Sequence, residues 1–306
     1  MHLTGPLGSE PGKLNRLSRR GFGAALFTAG YAAAITPVNA SAITTDETGL
    51  ISAEIKYPGF EGYQLPAFIA RPDEGATPKK RATIIVVSEV FGVHQYIKDV
   101  CRRFAKLGYV AIAPDYFDRA GDPSTMTMEQ FKEIFAIVAK ANYAQVMGDT
   151  DATVAYLKSQ PFADVAKLGI TGFCWGGGTT WAACARSDAF KAGVAWYGSL
   201  RKPAPGFALP PEERPYALDS AATIKAPVLG LYAETDQGIP QADVDATNAA
   251  LKAAGKKNPA AKSSSITVYP GTEHGFHADY RPSYNEAAAK DGWAKALAFF
   301  KTHGVA

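Results

Sequence analysis

The run Ala82-Thr-Ile-Ile-Val-Val87 is a continuous, mostly β-branched stretch with no polar alternation. Such a strand is covered on both faces, which happens in parallel sheets carrying helices above and below. The rest of the chain repeats the theme. Tyr109–Ala113, Leu168–Thr171, Ala192–Trp196, Pro227–Tyr232 and Ser265–Tyr269 read as further strands. Helical spacing covers Tyr96–Leu107, where Ile97, Val100, Cys101 and Phe104 recur on one face, and then Met128–Ala139, Tyr143–Ser159, Trp175–Arg186, Gln241–Ala254 and Tyr284–Lys301. Ser52–Tyr57 and Leu65–Ala70 read as two antiparallel edge strands around the turn Gly59–Gly62. This alternation predicts an α/β fold with one mostly parallel sheet of about eight strands, covered by helices on both faces. In such sheets function gathers at the carboxyl ends of the strands. The Pro-rich stretch Lys202–Pro215 reads as an excursion between strands rather than a domain linker.

Charge narrows the class. The formal net charge is +3, and Lys13, Arg16, Arg19 and Arg20 against Glu10 account for all of it within the first 42 residues. The remainder is neutral overall and offers no nucleic-acid surface. The basic segment itself reads as an export signal. Ser18-Arg-Arg-Gly-Phe22 precedes an apolar run, Phe22–Ile35, too short to span a bilayer comfortably, and Ala40-Ser-Ala42 supplies the small residues a signal peptidase accepts. The paired arginines, with Ser before and Phe two residues after, resemble the bacterial twin-arginine signal. The expected organisation is therefore a signal peptide over residues 1–42 and one catalytic domain over 43–306. Its partner would be the twin-arginine export machinery, and its destination the periplasm or the exterior, with no membrane anchor after cleavage.

Three cysteines, Cys101, Cys174 and Cys184, follow the leader. An odd count leaves at least one thiol unpaired in a monomer. Cys174 and Cys184 on one helix would lie ~15 Å apart, beyond disulfide reach. There is also no Cys-x-x-Cys pair to run a dithiol redox cycle.

Cys174 stands between Gly172 and Gly176, with a strand before it and a helix after it. That is the cysteine version of the nucleophile elbow, whose sharp backbone angle requires small neighbours two residues away. The helix amino end favours the thiolate form. In this fold the chain order is nucleophile, acid, histidine. Glu234 and Asp236 follow the strand ending at Tyr232, and Asp236 is favoured because the chain turns at Asp236-Gln-Gly. Among five histidines, His2 is in the leader, His303 is terminal and His94 starts a helix, which leaves His274 and His277; His274 arrives in the loop after the last strand, where the order demands it.

With these residues in place the chain resembles the dienelactone hydrolase family of α/β-hydrolases. Gly172-Phe-Cys-Trp-Gly-Gly is similar to its nucleophile motif, Ser88-Glu-Val-Phe-Gly-Val93 to the segment after its third strand, Ala113-Pro-Asp-Tyr-Phe-Asp-Arg119 to the following loop, and His274-Gly-Phe to its histidine loop. The resemblance implies that Glu89 interacts with the resting thiol until substrate displaces it. It implies an oxyanion hole from the backbone N–H groups of Val90 and Trp175. It implies that Arg119 binds a substrate carboxylate. Family members active on dienelactone carry a second arginine four residues after the histidine, where this chain has Ala278. Arg281, three residues further, either stands in for it or anchors the loop.

The expected activity is hydrolysis of a small ester or lactone, dienelactone-like and carboxylate-bearing, by a Cys174-His274-Asp236 triad through an acyl-thioester. No metal or organic cofactor is implied. The rival reading is a binding protein that keeps the pocket without turnover.

Overall fold

The computed structural model describes residues 43–126, 130–202 and 213–306. Among the described residues eight strands form one sheet: β1 Leu50–Pro58, β2 Gln64–Pro72, β3 Arg81–Val87, β4 Val110–Pro114, β5 Ala163–Phe173, β6 Ala192–Trp196, β7 Val228–Ala233 and β8 Ser265–Tyr269. Their spatial order is β1-β2-β4-β3-β5-β6-β7-β8. The first two pairings are antiparallel and the rest are parallel. Only β1 of the leading pair is an edge strand. β2 also pairs with β4, which satisfies the backbone groups on its second side, and its residues Ala67, Phe68 and Ala70 are buried.

The helices are α1 Gln95–Lys106, α2 Phe131–Val138, α3 Tyr143–Ser159, α4 Trp175–Arg186, the short α5 Ala217–Ser220, α6 Gln241–Ala254, the short α7 Pro259–Lys262, and α8 Glu286–Thr302. On α1 the residues Ile97, Val100, Cys101 and Phe104 are all buried, as their spacing predicts. Asn142 and Asn285 cap α3 and α8, each accepting a hydrogen bond at 3.0 Å from the amide three residues on. The helix expected from Met128 begins at Phe131, and residues 127–129 lie outside the described residues. So does most of Lys202–Pro215, and so does the whole expected signal peptide over 1–42.

Ile84, Ile85, Val86 and Val87 of β3 have no exposure at all. Each fully buried side chain of this size is worth roughly 1.5–3 kcal/mol, so this strand anchors the core. It is also where the strand order reverses, since β4 lies on one side of it and β5 on the other. A crevice opens beyond the carboxyl ends of strands at such a reversal. The register makes this concrete: Val87 pairs with Gly172, so Glu89 and Cys174 leave neighbouring strands at the same height.

Candidate active site

Cys174 sits between β5 and α4 with φ 57° and ψ −115°. A non-glycine residue in such a conformation stores on the order of 1–3 kcal/mol and persists only where its surroundings hold it. Here its own N–H donates to the Trp196 carbonyl at 3.0 Å. The flanking glycines are needed for contact rather than for φ. A Cβ on Gly172 would stand 2.2 Å from the Gly176 carbonyl oxygen, and one on Gly176 would stand 2.4 Å from the Val87 oxygen. Helix α4 therefore lies directly against the end of β3.

That contact also brings together the two segments carrying the amides of Val90 and Trp175. Trp175 is the first residue of α4, where an N–H has no intrahelical acceptor. Both residues are buried, and the Trp175 ring packs on Phe117 at 4.8 Å between centroids.

His274 and Asp236 come from the loops after β8 and β7. His274 Nδ1 lies 2.7 Å from Asp236 Oδ2, and the carboxylate side chain is 1% exposed. The imidazole also hydrogen-bonds with Cys174. Burial alone would lower the histidine pKa, but the charges of Asp236 and Cys174 outweigh it and raise it to about 10. Glu234 is used differently: its Oε2 accepts from the Gly271 N–H at 2.8 Å, tying the β7 and β8 loops together. Cys101 and Cys184 are fully buried, and burial pushes both thiols well above their ordinary pKa, which makes them unreactive.

Glu89 is fully buried, and both of its oxygens are held by protein groups. Oε1 accepts from Arg281 Nη2 at 2.6 Å, while Oε2 accepts from the Tyr280 hydroxyl at 2.7 Å and lies 3.2 Å from His94 Nε2. Burial works against the charged carboxylate, yet Arg281 and His94 outweigh it and hold its pKa down at about 2. The family resemblance points Glu89 at the thiol. The contacts that fix it here are with the histidine loop and with His94. Arg281, with no exposed side-chain surface, is the anchoring arm of that loop. Ala278, at the position of the family's second arginine, is itself completely buried.

Arg119 is likewise committed. Its guanidinium pairs with both oxygens of the fully buried Asp149, donates to the Phe60 carbonyl at 3.1 Å and stacks over Tyr63 at 4.2 Å. The group expected to read a substrate carboxylate is held by a carboxylate of the protein.

Three site residues were not singled out from the sequence. His94 and Tyr280 contact Glu89, as above. Tyr197, at φ 38° just past β6, lies 5.0 Å from the His274 ring. Its signal was its place at the end of a strand next to the nucleophile strand: Phe173 pairs with Trp196, so Tyr197 leaves the sheet level with Cys174.

The family model for "Dienelactone hydrolase family" matches residues 65–304. A Methylorubrum extorquens protein named "Putative carboxymethylenebutenolidase" is 49% identical over 291 residues, covering 95% of this chain and 94% of its own. An Escherichia coli K12 protein of the same name is 40% identical over 279 residues, covering 90% of this chain and 96% of its own. A solved Klebsiella pneumoniae structure, named "Putative Dienelactone Hydrolase", superposes with a TM-score of 0.71 at 40% identity. It covers 82% of this chain and 98% of its own.

Proposed function

Because the chain belongs to the dienelactone hydrolase family and is a carboxylic ester hydrolase, we propose that it cleaves a small ester or lactone through an acyl-thioester on Cys174. The Cys174 thiol passes its proton to His274 as the sulfur attacks the carbonyl carbon, and the resulting oxyanion is received by the N–H groups of Val90 and Trp175. Collapse of this adduct breaks the acyl–oxygen bond, and His274 gives its proton to the departing alkoxide. Water then attacks the thioester, His274 takes the water's proton, and the carboxylate product leaves with the thiol restored. Asp236 orients the imidazole and stabilises its charged form.

The observation that carries this reading is the 2.7 Å contact of His274 Nδ1 with Asp236, made while the same ring hydrogen-bonds with the strained Cys174. The test is hydrolysis of a panel of small esters and lactones before and after treatment with iodoacetamide. Labelling of Cys174 is expected to abolish turnover, as is Cys174→Ala. Full activity after complete labelling would overturn the mechanism.

The enzyme acts, in this reading, after export by the twin-arginine route, with residues 1–42 removed. Support comes from Ser18-Arg-Arg-Gly-Phe22 and Ala40-Ser-Ala42. Replacing Arg19 and Arg20 by lysine should trap a precursor in the cytoplasm. Undiminished periplasmic enzyme in that variant would point to the general secretory route.

A further inference from the structure

The first described residues run along α1 and are fastened to it one after another. Thr45 donates from its backbone N–H to Asp99 Oδ1 at 2.6 Å and from its hydroxyl to Asp99 Oδ2 at 3.3 Å. Asp46 pairs with Lys106 and Glu47 with Arg102, each at 2.8 Å. At the head of this strap the backbone nitrogen of Ile43 donates to the carboxylate of Asp279. Asp279 and Asp99 are both buried and are bridged by Arg103, whose Nε reaches Asp99 Oδ2 at 2.6 Å and whose Nη2 reaches Asp279 Oδ2.

The charges in this cluster do not balance. Two buried carboxylates share one guanidinium, leaving one negative charge without a cation among the described residues. The other groups nearby do not supply one. Lys290 is paired with Glu286 at 2.6 Å on the surface of α8. His277 is hydrogen-bonded to the Tyr96 hydroxyl, and burial together with Arg103 holds its pKa down at about 3, so it stays neutral. Tyr284 is a neutral phenol. Burial keeps the Asp279 carboxyl above its ordinary range even with Arg103 beside it. A backbone amide offers such a carboxylate only a dipole, and an uncompensated buried charge is costly.

Ile43 is also the residue that follows Ala40-Ser-Ala42. Hydrolysis of the Ala42–Ile43 peptide bond by a signal peptidase consumes one water. It leaves a carboxylate on Ala42 and an ammonium on Ile43, at the nitrogen that faces Asp279. We propose that Asp279, bridged to Asp99 by Arg103, is a receptor for the α-ammonium of the processed chain, and that this ion pair pins the histidine loop.

The consequence reaches the active site through the chain itself. Asp279 lies two residues from His277 and immediately before Tyr280 and Arg281, which hold Glu89; His274 begins the same loop. Processing thus supplies the cation that completes the loop's anchorage, and the precursor is the less stable and less active form. The proposal rests on the export reading above and is independent of which residue is the nucleophile.

The test compares three full proteins: the processed enzyme recovered from the periplasm, the uncleaved full-length chain, and processed Asp279→Asn. The processed enzyme should begin at Ile43 by N-terminal sequencing. Its α-amino pKa, measured by pH-dependent acylation, should lie at least one unit above the ordinary ~7.7–8.0, and should return to that range in Asp279→Asn. The uncleaved chain should melt about 2–4 °C lower and show a several-fold lower kcat/KM. That comparison needs no substitution, so it stands even if Asp279→Asn fails to fold. A processed chain beginning elsewhere overturns the Ala42–Ile43 cleavage and with it the receptor, whereas a chain that is never processed overturns the export premise. One that begins at Ile43 with an ordinary α-amino pKa, or with the same melting temperature as the precursor, overturns the ion pair alone.

Discussion

Arg281 Nη2 and Glu89 Oε1 are 2.6 Å apart, and neither side chain has any exposed surface. The pair joins the end of β3 to the histidine loop, 192 residues away in the chain. Buried pairs of this kind resist single substitutions far more than double ones, because removing one partner strands the other's charge.

Arg281→Met or Glu89→Leu alone should therefore cost about 3–5 kcal/mol in urea denaturation, while the double variant should recover much of that loss. The pair also sets a pH signature. Glu89 has its folded pKa depressed to about 2, so its contribution is fully present above its unfolded value and is lost as pH falls through the folded one. With an unfolded pKa near ~4.3, wild type should lose stability between about pH 4.5 and 2 that Glu89→Gln does not lose. Parallel stability curves for the two proteins would remove Glu89 from the account.

Asp236→Asn should lower kcat by roughly 10²–10⁴, because the imidazole loses both its orientation and its charge partner. The alkaline limb of the rate profile should also move. His274 stands at about 10 through Asp236 and Cys174 acting against burial, so without the Asp236 charge the limb shifts to lower pH. The stability contribution has the same sign: present below about 6.5, and lost as pH rises through the folded value. A profile whose alkaline limb stays in place in Asp236→Asn would mean that His274 is not the titrating group.

Arg119→Ala should destabilise by about 3 kcal/mol, toward the lower end for stranding a buried charge because Arg119 keeps some solvent contact. Its effect on kcat/KM should be similar for anionic and neutral esters, since the guanidinium is already bound to Asp149. A loss confined to carboxylate-bearing substrates would show instead that substrate competes with Asp149 for this arginine.

The sequence determined whatever depends on near neighbours and chain order. Ala82–Val87 had to be a central strand because it has no polar face to turn outward. Gly172 and Gly176 marked the corner because a Cβ at either position would collide with backbone. The meeting of Asp236 and His274 followed from chain order, since each stands in the loop after one of two neighbouring strands. Tertiary structure alone decided the long-range ionic partners. Arg119 and Arg281 are long, flexible and able to reach carboxylates in several directions, and their pairing with Asp149 and Glu89 depends on which segments pack together and what is left buried between them. The same holds for Asp279. Its neighbours in the chain give no sign that it faces Arg103 and Ile43, because those groups meet it only when α1, the strap and the histidine loop pack together.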